Sequence, residues 1–116
     1  MENPSMTFEE FDAMMPAGWD NHKLTTITPR IFDSAITKTC QILVEGEYNG
    51  IIKPDIHYIP LKRDLSNIDE ALEKLKDIKF VQNMVDRTYE DLCGNDTYTY
   101  RAFARLIEKA IADLIA

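Results

Sequence analysis

The sequence predicts an α/β fold with several helices around a small, mainly parallel sheet. Two observations carry that prediction. Residues 41–44 (Gln-Ile-Leu-Val) and 57–61 (His-Tyr-Ile-Pro-Leu) are brief apolar runs, too short for helices, and read as strands. Longer segments on either side repeat apolar residues at spacings of three and four, the period of a helix with one buried face.

The chain divides into three parts: an N-terminal helix and connector over 1–27, a helix–strand–loop–strand region over 28–64, and a helical remainder over 65–116. Its 116 residues suit a single domain. In the first part, Thr7-Phe8-Glu9-Glu10 is a capping-box pattern, so a short helix is expected to about Met15, burying Phe8, Phe11 and Met15. Pro16-Ala17-Gly18 ends it, and 19–27 is a connector.

The second part carries the candidate chemistry. Thr28 stands as N-cap and Pro29 at the first helical position, where a missing N–H costs nothing. Ile31, Phe32, Ala35 and Ile36 share one face of this helix; Arg30, Asp33, Ser34 and Thr37 share the other. Arg30 beside a helix N-terminus can hold a phosphate, aided by free N–H groups and the helix dipole, or can pair on the surface with Asp33. Glu45, Gly46, Glu47 and Tyr48 follow a strand end, where open α/β sheets place ligands. Gly46 and Gly50 fit turn geometry. Pro60 puts the second strand at a sheet edge or at its end.

The third part is helical. A helix capped by Ser66 is expected to bury Ile68, Ala71, Leu72 and Leu75. Another starts near Lys79 with Val81, Met84, Val85, Thr88 and Leu92 on one face, and stops at Gly94. The last starts at Thr97 or Thr99 and carries a long apolar stripe: Phe103, Leu106, Ile107, Ala110, Ile111 and Leu114.

The ordered set Arg30, Phe32, Asp33 and Ala35, then Gly46-Glu47-Tyr48-Asn49-Gly50-Ile51 and His57-Tyr58-Ile59-Pro60-Leu61, resembles the C-terminal half of a group 1-like glycosyltransferase with the GT-B fold. The likeness runs from about Thr25 to Phe103. It implies a partial Rossmann-like domain that holds a nucleotide diphosphate sugar as donor substrate, with no separate cofactor. Asp33 then contacts the ribose, and Thr28, Arg30, Glu45, Gly46 and Tyr48 complete the donor site. The acceptor is not indicated, and neither is a catalytic residue. The chain departs from the family pattern at three places: Thr25 stands where many members carry a second glutamate, Lys38 where a glycine is usual, and Asp33 where a glutamate is usual. No βα unit is visible before residue 28, so the resemblance implies the final portion of a larger enzyme. Its partner would be a missing N-terminal acceptor domain, and this chain alone would not turn over.

Composition narrows the alternatives. A net charge of −7 disfavours a general nucleic-acid binder, whose affinity rests on Lys and Arg neutralising phosphates. No apolar run is long enough to span a bilayer. Cys40 and Cys93 lack ligand spacing and read as reduced core thiols, which implies a cytoplasmic protein. His22 and His57 are isolated, so no metal site is proposed. Two functions remain: the donor-binding part of a glycosyltransferase, or a non-catalytic α/β interaction domain docking through its C-terminal helix. That helix is also the expected seam of a homodimer, since two strands offer it little to cover.

Overall fold

The computed structural model describes residues 5–21 and 25–116. His22 lies outside them, as does part of the connector. The elements run α1 (Phe8–Met14), α2 (Pro29–Ile36), β1 (Ile42–Val44), a 3₁₀ turn (Tyr48–Gly50), β2 (Ile59–Leu61), α3 (Ile68–Lys76), α4 (Ile78–Leu92) and α5 (Tyr100–Ile115). The two strands form a parallel sheet in which Ile42 faces Ile59, Leu43 faces Pro60 and Val44 faces Leu61. The mixed α/β class with a small parallel sheet is thus what the chain adopts. Pro60 is tolerated because only one side of β2 is paired among the described residues.

The core sits where α2, α4 and the strands meet. Ile31 and Ala35 from α2 pack with Tyr48, Ile52, Tyr58 and Leu92. Ile59, Ala71 and Met84 form a second cluster under β2, α3 and α4. Leu92 belongs to one cluster and Met84 to the other, so α4 is the strut joining them. Its start is fixed by Asp77, whose carboxylate accepts from the Phe80 N–H at 3.0 Å. Gly94 follows its end because a Cβ there would lie 2.9 Å from the Glu90 carbonyl oxygen.

Local signals and tertiary packing disagree at both ends of the chain. The Thr7–Glu10 capping box forms as expected. Yet among the described residues no side chain of α1 is buried, and Phe8 is 67 % exposed. The expectation that Phe8, Phe11 and Met15 enter a core is corrected: Phe11 instead stacks edge-on against Trp19 at 5.6 Å, a local contact. Ser66 does not cap α3. The N-cap is Asn67, whose side chain ties the loop down instead: Oδ1 accepts from the Lys62 N–H at 2.8 Å and Nδ2 donates to the Pro60 carbonyl at 3.0 Å. Of the α3 stripe only Ala71 is buried. Ile36 on α2 is also exposed, at 60 %.

The radius of gyration is 19.5 Å. A compact domain of this length would measure about 13 Å. The excess reflects helices that do not fold back onto the core.

Candidate functional site

β1 and β2 run parallel, so their carboxyl ends open on the same edge of the sheet. Glu45 to Asn49 leave one strand there and Arg63 follows the other. Together with Thr25 and Asp20 they line an open groove of about 1140 Å³, floored by β1. Four of the residues singled out from sequence, Glu45, Gly46, Glu47 and Tyr48, line it.

The loop after β1 is held tightly. Tyr48 is buried, donates its hydroxyl to the Val44 carbonyl at 2.6 Å, and meets the Tyr58 ring edge-to-face at 5.4 Å. The fully buried Tyr58 lies against Gly46: its oxygen is 3.4 Å from both the N–H and the carbonyl oxygen of that residue. Burial pushes both phenols above their ordinary value, so they act as neutral hydrogen-bonding struts. Between these anchors Tyr48, Asn49 and Gly50 all have positive φ (41°, 57° and 70°). Only glycine adopts that region without cost, so two side-chain-bearing residues are held there by their surroundings. Gly50 serves turn geometry as expected; Gly46 serves close approach instead.

Thr28, Arg30 and Asp33 occupy the first turns of α2 and do not line the groove. A hydrogen bond links the two places: the Asn49 amide oxygen accepts from the Ile27 N–H at 3.1 Å, one residue before the N-cap. Thr28 takes the N-cap position, but its side chain makes no capping bond. Pro29 has no N–H and the Ile31 N–H donates to the Thr28 carbonyl at 3.0 Å, so the Arg30 N–H and guanidinium are the donors this helix start offers an anion. Arg30 and Asp33 are both exposed and form no ion pair with a described residue, the Arg30–Asp33 pairing included.

The groove itself is acidic on balance. Asp20, Glu45 and Glu47 face a single guanidinium, and Arg63 already donates to Asp20 Oδ1 at 2.6 Å and to its carbonyl at 3.1 Å. Such a lining repels a bare diphosphate and accepts hydrogen bonds from hydroxyl-rich ligands.

Sequence reasoning missed Asp20, Arg63, Asn49 and Tyr58. Arg63 was accessible by the same rule that selected Glu45, since both follow strand ends. Asp20 and Asn49 act through contacts at separations of 43 and 22 residues, which no local pattern signals. Thr25, noted only as a departure from a family pattern, packs directly on Gly46.

His57 stands apart from the groove and is buried. Its Nδ1 accepts from the Lys53 N–H at 2.9 Å, which leaves the proton on Nε2 facing Asp91 Oδ2 at 3.1 Å. Among the described residues no cluster of His, Cys, Asp and Glu is arranged to hold a metal ion. Among the described residues no helix is long and apolar enough to cross a membrane. Cys40 and Cys93 are free, half-buried thiols whose ionisation burial disfavours. No family model, curated protein or solved structure matches the chain.

Proposed function

We propose that this chain is the nucleotide-sugar donor-binding part of a glycosyltransferase, which moves a sugar from a nucleotide diphosphate to an acceptor held elsewhere. The observation that carries the reading is the Ile27–Asn49 hydrogen bond, which ties the uncapped start of α2 to the loop of the acidic groove. Phosphates suit the first; sugar hydroxyls suit the second. The Arg30 guanidinium and backbone N–H, with the positive end of the α2 dipole, stabilise the departing diphosphate, a large catalytic term when the donors are fixed in advance. Asp33 accepts from the ribose hydroxyls, and Glu45 and Glu47 face the sugar. Half-buried reduced cysteines are compatible with a cytoplasmic setting.

The experiment is an NMR titration of the chain with uridine and guanosine diphosphates. Amide shifts are expected over residues 28–34 from direct contact, and over 45–50 through the Ile27–Asn49 hydrogen bond. Arg30→Ala should weaken binding by about tenfold or more, through loss of a charge-assisted hydrogen bond. No shift at millimolar ligand, or shifts scattered over α3 and α4, would overturn the reading.

A second reading, an interaction domain docking through α5, is favoured by one specific observation: among the described residues none of α5 is buried.

A further inference from the structure

α5 is the longest helix described, and its apolar stripe is left largely exposed by the described residues. Phe103 is 59 % exposed, Leu106 64 %, Ile107 44 %, Ile111 53 %, Leu114 84 % and Ile115 81 %. At its N-terminal end the stripe runs into an apolar groove of about 570 Å³, lined by Phe32, Ile51, Tyr98, Phe103 and Leu106. Phe32 of α2 and Tyr98 meet edge-to-face at 5.6 Å and form its wall. One end of the helix thus presents a concavity and the other the most exposed aliphatic side chains of the stripe.

We propose that α5 pairs antiparallel with α5 of a second copy of this chain, so that Leu114 and Ile115 of each helix seat in the groove beside Phe103 of the other. A two-fold interface requires a surface that complements itself, and a knob and a groove at opposite ends of one stripe meet that requirement. The spacing fits. Phe103 and Leu114 are eleven residues apart, about 16 Å along a helix, and a crossing midway between Ile107 and Ala110 sets each over its counterpart.

Charge selects the same direction. The half from Tyr100 to Ile107 carries Arg101 and Arg105 and no carboxylate; the half from Glu108 to Ile115 carries Glu108 and Asp113 with Lys109. Antiparallel helices set the arginine half against the carboxylate half, whereas parallel helices set like on like. This inference gives the docking reading its partner and does not rest on donor binding, whose groove lies at the sheet edge. A failed titration and a failed dimer are therefore separate results.

Sedimentation equilibrium of the full chain tests it, with the mass expected to rise toward twice the monomer at micromolar concentration. Ile107→Asp, at an exposed position, should leave the circular dichroism of the fold unchanged and weaken association about tenfold or more. Direction is read by mixing Phe103→Cys and Leu114→Cys chains under oxidation and identifying the linked peptides by mass spectrometry. The 103–114 link is expected in the mixture. A monomeric parent at high micromolar concentration would overturn the proposal and leave the face to a partner of other chemistry. A dimer that survives Ile107→Asp, or Phe103→Cys linking chiefly to itself, would overturn it as well.

Discussion

Gly46 lies so close to Thr25 that a Cβ on the glycine would stand 2.3 Å from Thr25 Cγ2 and 2.5 Å from its Cβ. The loop after β1 and the approach to α2 are thereby locked at van der Waals distance, and the sheet-edge groove takes its shape from that contact. Gly46→Ala should destabilise the fold by about 1–3 kcal/mol through overpacking. Thr25→Ala leaves the offending Cβ in place, so only Thr25→Gly should restore stability in the double variant. Urea unfolding of the four chains gives the coupling directly. Equal penalties for Gly46→Ala with and without Thr25→Gly would refute the contact.

Lys38 sits at φ 51°, in the left-handed region that disfavours any side chain. A glycine would adopt this conformation without cost. The lysine is held by Asp86, whose carboxylate accepts from Nζ at 2.8 Å, and its charge lies 5.0 Å from the centre of the Tyr89 ring. Lys38→Gly relieves the backbone while losing both contacts; Lys38→Ala loses the contacts and keeps the strain. Thermal melts should place the alanine variant about 4 °C or more below the glycine variant. The reverse order would show that backbone conformation does not govern this site.

Thr88 joins α4 to the turn before β2. Its buried hydroxyl lies 2.7 Å from the Met84 carbonyl oxygen and 3.2 Å from that of His57. Thr88→Val keeps the shape and removes the donor, so a loss of about 1–3 kcal/mol is expected. Denaturant unfolding measures it, and an unchanged midpoint would mean the His57 carbonyl is satisfied otherwise.

Acid should destabilise the protein. The Arg87 guanidinium, at 2.6 Å, holds the Asp91 carboxyl below its ordinary value of 3.8, and His57 adds to this. Asp86 is lowered by Lys38, and Asp64 by the Ser66 N–H. A carboxylate depressed in the folded state contributes stability that is present above the unfolded value and lost as pH falls through the folded one. Urea midpoints should therefore hold steady above about pH 5 and fall below about pH 4. Asp91→Asn should lower the neutral-pH midpoint and flatten the acid limb. An acid limb identical to the parent's would exclude Asp91 as a contributor.

Helix positions and the strand pair were legible in the sequence because they follow from local physics. Thr7 caps α1, Pro29 opens α2, and the Met84, Val85, Thr88 and Leu92 face of α4 is buried, each signalled within a few turns of chain. Apolar period shows which face of a helix can be buried, but not whether anything arrives to bury it. Phe8 and Leu114 satisfy the same pattern as Ile31 and Met84, yet the first two lie open and the last two are enclosed. The groove was half legible: Glu45, Gly46 and Tyr48 follow a strand end, a local cue. Asp20, Thr25 and Arg63 join them only because the parallel register of β1 and β2 and the Gly46–Thr25 contact bring distant segments to one edge. Contacts across 20 or more residues depend on which surfaces meet, and that is decided by packing of the whole chain rather than by any window of it.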